Sequence, residues 1–195
     1  MSGKIKVAFQ GEKGAYSHIA CLEIFPNAEV KECPTFEETF ELVKENSEYK
    51  IIIPIENSLA GRVADIHYLI PKYKLQIHSE HFQKVTHNLL GVKGSTMKDI
   101  KTVRSHAQAI GQCQKAINEH RLQAIISADT AGSAKYISQK NDKKESAIAS
   151  ELAAKIYNLE ILKPNIEDES DNVTRFLIMG KETKHPERKD KKYIT

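Results

Sequence analysis

Residues 172–176, Asn-Val-Thr-Arg-Phe, set a hydroxyl (Thr174) beside a guanidinium (Arg175), just after the acidic stretch 167–171. A hydroxyl can donate to a departing oxygen, and a guanidinium can clamp a carboxylate through two parallel hydrogen bonds. An edge strand, with Thr174 for β-propensity and Arg175 at the surface, accounts for the same residues equally well. Four further segments offer small polar side chains where a strand-like run gives way to a helix-like one: residues 14–17, Asn57 with Ser58, Ser105 with His106, and residues 129–133. Helix N-termini with free N–H groups and Ser or Thr hydroxyls bind carboxylates or phosphates without needing basic side chains. Any one of these segments is most simply a helix cap. Four together predict an anion-binding cleft. Glu56 is a candidate general acid, or equally a structural hydrogen-bonding group.

Other chemistries fit less well. His78, His81 and His87 lie in strand-like sequence, where positions 78 and 81 face opposite sides, so a metal set is not expected. Gly11-x-x-Gly14 lacks the GxGxxG pattern, and neither GxxxxGK[ST] nor GxSxG occurs, which argues against a dinucleotide site, a P-loop or a serine-hydrolase elbow. Cys21, Cys33 and Cys113 are widely spaced with no CxxC pair, as in a protein of a reducing compartment.

The elements that must hold these groups alternate between short β-type runs and amphipathic helices, which predicts an α/β fold with mostly parallel strands. Residues 5–9 read as the first strand, followed by a glycine-bearing turn and a helix that Ser17 would cap. Thr35 and Glu38 have capping-box spacing, with Phe36, Phe40 and Val43 forming the apolar face behind them. Residues 51–55 are a buried strand in which Pro54 is expected to end the pairing. Strands are predicted at 75–85, 86–92, 102–104, 122–127, 146–149 and 173–179. Helices are predicted from about 107 to 120, from Thr130 to 137 behind an Asp129 cap, and over 151–157.

A chain of 195 residues with 40% apolar and 28% charged side chains can build one large domain or two small lobes, and is neither disordered nor fibrous. The net charge of +3 lies entirely after residue 180, where six cations face three anions, so a solvated basic tail explains it better than a nucleic-acid surface. The N-terminus has no signal-peptide pattern and no apolar run approaches 18 residues, so neither nucleic acid nor membrane is an expected partner and the expected compartment is the cytoplasm.

Taken in order, Gly11-x-x-Gly-Ala-Tyr-Ser17, Pro54-Ile-Glu-Asn-Ser58-x-x-Gly61, Ser105-His-x-Gln108 with Gln112-Cys113, Asp129-Thr-Ala-Gly-Ser-Ala134, Ala147-Ile-Ala-Ser150 and Asn172-x-Thr-Arg-Phe176 resemble the prephenate dehydratase family. The likeness covers roughly residues 4–182. It implies the family's catalytic region, without the C-terminal ACT regulatory domain that usually follows, folded as two lobes like a type II periplasmic binding protein. Lobe 1 would comprise about 1–77 and 171–182, lobe 2 about 78–170, and 183–195 a basic linker. Ala107 departs from the family's usual proline, which loosens the loop without removing a functional group. The resemblance further implies a homodimer or homotetramer acting on prephenate, with loss of CO2 and water driven by aromatisation and with no metal or redox cofactor. By motif position, Thr174 would be the catalytic hydrogen-bond donor. Ser17, Asn57, Ser58, Ser105, His106, Gln112, Thr130, Asn172 and Arg175 would touch substrate, and Phe176 would pack beneath it. Arogenate in place of prephenate, or a non-catalytic small-carboxylate binding protein of the same architecture, are the alternative readings.

Overall fold

The computed structural model describes residues 4–181. β1 (Lys6–Gln10) buries Val7, Ala8 and Phe9 completely, as a strand covered on both faces requires. The chain turns at Gly11 and Gly14, both at positive φ, into α1 (Tyr16–Ile24), then forms β2 (Glu29–Cys33) parallel to β1. α2 (Phe36–Glu45) starts at the expected capping box: Thr35 Oγ1 accepts from the Glu38 N–H at 3.1 Å, and Phe40 and Val43 are fully buried behind it. β3 (Tyr49–Asn57) pairs parallel with β1 and turns back through the two-residue β4 (Gly61–Arg62) into α3 (Ala64–Tyr73) and β5 (Gln76–Lys84).

The chain then crosses to a second sheet. β6 (Asn88–Gly91) leads to β7 (Thr102–His106), α4 (Ala107–Gly111), α5 (Gln114–Glu119), β8 (Gln123–Ser127), α6 (Thr130–Lys140), β9 (Glu145–Ala149), α7 (Glu151–Ile156) and β10 (Glu160–Lys163). β11 (Val173–Gly180) returns to the first sheet and inserts between β3 and β5. The sheet orders are β2-β1-β3-β11-β5, with β4 on β3, and β10-β6-β9-β7-β8. Each sheet has an apolar cluster on either face. Ile51, Ile53, Leu177 and Met179 face α2 and α3, while Ile52, Phe176 and Ile178 join Val7 and Phe9 on the α1 side. The second sheet divides likewise between a cluster around Val103, Ile110 and Ile148 and one around Leu90, Ile137 and Ala153. This is the expected α/β fold with two mixed sheets, although among the described residues four of nine strand pairings are parallel.

Several local expectations are corrected. Ser17 lies inside α1, whose N-cap is Ala15, with no side-chain cap. Pro54 ends pairing on one edge only: β1 stops at Ile52, whereas β11 follows β3 through a bulge to Asn57, because a proline removes no N–H but its own. The helix expected over about 107–120 is broken between α4 and α5, where Asp168 intervenes. Its N–H donates to the Gln112 carbonyl (2.6 Å) and its carboxylate accepts the Lys115 N–H (3.1 Å), so Asp168 caps α5. β2, β4 and β10 have no counterpart among the expected strands, and the helix expected after Asn57 and Ser58 begins only at Ala64, beyond β4. β5 stays in the first sheet to Lys84, so the chain changes sheet at residues 85–87 and not near 78. The basic tail at 183–195 lies outside the described residues. No described helix is long and apolar enough to cross a membrane.

Candidate active site

A cavity of about 410 Å³ opens between the sheets, at the carboxyl ends of β1, β3, β7 and β8, where open α/β sheets collect ligands. Gln10 ends β1, Asn57 ends β3, His106 ends β7, and Asp129 and Thr130 follow β8 at the start of α6. Thr174 enters from β11, and Tyr16, Arg62, His87, Gln108, Gln112 and Asn172 add further polar side chains to the wall.

The Asn57 side chain sets the polarity of that wall. Its Oδ1 accepts the Leu59 and Ala60 N–H groups at 3.0 and 2.9 Å, which fixes the amide and turns Nδ2 into the cavity wall. Nδ2 donates to Asn172 Oδ1 at 2.6 Å and to Thr174 Oγ1 at 3.0 Å. With its oxygen already accepting, Thr174 keeps its own hydrogen for a ligand. Asn172, accepting at Oδ1, donates from Nδ2 to Gln112 Oε1 at 2.8 Å. Gln112 Oε1 also meets His87 Nε2 at 2.9 Å, so that nitrogen carries the ring proton, and the Gln112 NH2 has no partner among the described residues. His106 Nδ1 accepts the Gln108 N–H at 3.3 Å, which leaves the proton on Nε2. Followed outward from the Leu59 and Ala60 N–H groups, the bonds end in donors on Thr174 and Gln112, and the Gln108 N–H separately leaves a donor on His106. That is complementary to a ligand rich in acceptors, such as a polycarboxylate.

The electrostatics agree. Burial, opposed by the Gln112 hydrogen bond and the Glu167 charge, lowers the His87 pKa, so the imidazole is neutral around pH 7. Burial, reinforced by Glu167, pushes the Tyr16 phenol far up, and its hydroxyl donates to the Thr86 carbonyl. Burial likewise raises the Cys113 thiol out of the reactive range. Asp129 is the acidic residue on the lining, and its carboxylate is engaged by the Gly132 N–H at 2.5 Å as the α6 cap. Among the described residues no cluster of His, Cys, Asp or Glu has the geometry of a metal site; His81 lies 3.2 Å from Glu23 and His78 3.1 Å from Lys50.

Six of the residues singled out in the sequence border the cavity: Asn57, His106, Gln112, Thr130, Asn172 and Thr174. Five do not. Ser17 is buried one position past Tyr16, which takes the cavity-facing place. Ser58 donates to the Asp171 carbonyl (2.9 Å) and accepts the Val173 N–H (3.0 Å), fastening the start of β11 beside Asn57. Ser105 is wholly buried and donates to the Ile148 carbonyl at 2.7 Å. Phe176 is in the apolar cluster with Val7 and Phe9. Arg175 alternates to the strand face opposite Thr174, so it cannot clamp a ligand there. Its guanidinium reaches Glu56 at 3.1 Å and Glu80 at 2.6 Å, which also removes Glu56 as a cavity acid. The lining also holds Gln10, Tyr16, Arg62, His87 and Gln108, which the sequence does not mark as substrate contacts. Tyr16 is one position from Ser17 in the same segment, and His87 has no spacing signal, because its partners Gln112 and Tyr16 lie 25 and 71 residues away.

A family profile described as prephenate dehydratase matches residues 7–184. The chain is 42% identical over 181 residues to a bifunctional N-acyl-homoserine lactone acylase/prephenate dehydratase of Komagataeibacter europaeus, covering 93% of this chain and 64% of that one. It is 43% identical over 192 residues to arogenate dehydratase/prephenate dehydratase 1, chloroplastic, of Arabidopsis thaliana, covering 98% and 49%. A crystal structure of prephenate dehydratase in complex with L-Phe from Arthrobacter aurescens superposes with a TM-score of 0.87 at 27% identity, covering 95% and 63%. The chain thus spans about half to two thirds of the length of these relatives.

Proposed function

This chain belongs to the prephenate dehydratase family, and on that footing we propose that it converts prephenate to phenylpyruvate on the route to L-phenylalanine. The two lobes act as one catalytic unit of the family, residues 1–182. Prephenate carries two carboxylates and a ring hydroxyl. As the C1 carboxylate leaves as CO2, its electron pair moves through the ring toward C4 and expels the hydroxyl, which takes up a proton and departs as water. Aromatisation supplies the driving force, so the protein needs chiefly to hold the carboxylates and to stabilise charge growing on the C4 oxygen. Thr174 serves as that donor. The observation that carries the reading is the pinned Asn57 amide, which occupies the Thr174 oxygen and leaves its hydrogen free. Gln112 Nε2, His106 Nε2 and the N-terminus of α6 supply further donors for the carboxylates.

The plant relative's name joins arogenate to prephenate, and arogenate differs only in an amino group where prephenate has a keto group. Comparing kcat/KM on the two substrates decides between them. An acylase needs a nucleophile activated by a base, whereas Thr174 receives an amide N–H, so the acylase in the Komagataeibacter relative's name finds less support here. A cytoplasmic homodimer or homotetramer accompanies the proposal, with light scattering as its test. The decisive assay is phenylpyruvate formation from prephenate by the wild type and Thr174→Ala. The variant is expected to lose about a hundredfold in kcat, the scale of one transition-state donor, while melting within a few degrees of the wild type. Normal turnover by Thr174→Ala would rule out the role given to this hydroxyl.

A further inference from the structure

Residues 85–87 and 164–172, the two stretches that pass between the sheets, are tied together around one side chain. The Ile166 N–H donates to the His87 carbonyl at 2.7 Å, the His87 N–H donates to the Glu167 carboxylate at 2.8 Å, and the Asp168 N–H donates to the Gln112 carbonyl at 2.6 Å. The ring so held has Nε2 2.9 Å from Gln112 Oε1 and Nδ1 3.5 Å from the Tyr16 hydroxyl. His87 is 3% exposed, yet each of its ring nitrogens lies near a polar side chain and it borders the cavity.

We propose that His87 is a positioning residue for the reaction: its Nε2–H holds Gln112 Oε1, so that the Gln112 amide hydrogens face a substrate carboxylate. This rests on the dehydratase reading above. An amide oxygen has two acceptor sites, and two donors converge on this one, Asn172 Nδ2 at 2.8 Å and His87 Nε2 at 2.9 Å. Both sites are filled, and the NH2 end is turned the other way. With Asn172 alone the amide keeps one bond and is free to swing about it. Gln112 lies in the break between α4 and α5, so no helical packing fixes its side chain in place of His87. The histidine acts through the glutamine and needs no contact with substrate.

The test compares wild type, His87→Leu, His87→Gln, Gln112→Leu and the double variant His87→Leu/Gln112→Leu, each as the full chain with prephenate. His87→Leu is expected to raise KM roughly tenfold while kcat changes less than about threefold, the size of one lost hydrogen bond to a charged group. His87→Gln carries an amide N–H toward the same oxygen and is expected to recover most of the loss. Gln112→Leu raises KM at least as much, and adding His87→Leu to it changes nothing more, because the group being positioned is gone. An unchanged KM in His87→Leu, or losses that multiply in the double variant, overturns the proposal and leaves the dehydratase reading standing. If His87→Leu does not fold, the imidazole nitrogen shifts of the wild type decide by NMR. A proton on Nε2 supports the proposal, and a proton on Nδ1 overturns it. Failure of the wild type to turn over either prephenate or arogenate overturns the dehydratase reading itself, and the proposal with it.

Discussion

Asn57→Asp keeps the shape of the site and reverses its polarity. One carboxylate oxygen can still accept the Leu59 and Ala60 N–H groups. The other replaces Nδ2, the atom now 3.0 Å from Thr174 Oγ1 and 2.6 Å from Asn172 Oδ1. Thr174 then turns its hydrogen onto the carboxylate, a charge-assisted bond worth about 1.5–3 kcal/mol net, which must break before the hydroxyl can serve a leaving oxygen. At about 1.4 kcal/mol per tenfold, kcat falls roughly 10- to 150-fold. Two oxygens cannot face each other at 2.6 Å, so the Asn172 amide turns over, and Gln112 follows and shows its carbonyl to the cavity. KM therefore rises as well. Four donors then converge on the introduced carboxylate, the Leu59 and Ala60 N–H groups and the turned Thr174 hydroxyl and Asn172 amide, so its pKa lies below the usual value of about 3.9 and kcat of the variant stays depressed from pH 7 down to about 5. Phenylpyruvate formation across that range, with thermal melting as a folding control, measures both effects. A variant within about threefold of wild-type kcat at pH 7 would refute the assigned direction of the network, and recovery of kcat between pH 7 and 5 would refute the convergence of donors on residue 57.

The remaining predictions concern residues at the edge of the site. Arg175→Gln breaks ion pairs to Glu56 and Glu80 whose side chains are 40–46% exposed, so the loss is within about 1 kcal/mol and KM moves less than threefold; a tenfold rise in KM would mean that the guanidinium reaches substrate. Gly14→Ala combines a φ of +92° with a Cβ only 2.7 Å from Ala153 Cα, so a loss of at least about 2 kcal/mol and a Tm drop of about 4–8 °C are expected. Gly61→Ala is the control, since φ is +82° there but the added methyl meets open space. It should cost about 1 kcal/mol, and equal melting of the two alanine variants would contradict the contact at Ala153.

The pattern of apolar runs was enough to find the strands that carry cores, because residues 51–53 or 147–149 are buried whichever way their neighbours lie. It missed β2, whose Glu29, Lys31 and Glu32 belong to an edge, and it broke the first sheet near 78 where sequence composition does not change. The site was legible as a set of strand ends. Which side chains turn inward was not. One step of helix phase exchanged Tyr16 for Ser17, and strand alternation sent Arg175 outward beside an inward Thr174. The direction of three side-chain amides, on which the chemistry depends, is fixed by backbone N–H groups two and three residues beyond Asn57 and has no sequence signature at all.

The position of β11 also bears on how the protein is made. Thr174 rides on a strand that lies between β3 and β5 in space but is translated after the whole second sheet. While the ribosome works through the second lobe, β3 shows the nascent chain's surroundings an unpaired edge containing Ile51, Ile52 and Ile53, the kind of strand that invites wrong partners. The second lobe, a continuous segment, can form during that interval, whereas the first must wait with a slot open. Arrival of β11 closes the sheet and delivers the Thr174 hydroxyl to the cavity in a single event, so completion of the fold and completion of the active site coincide.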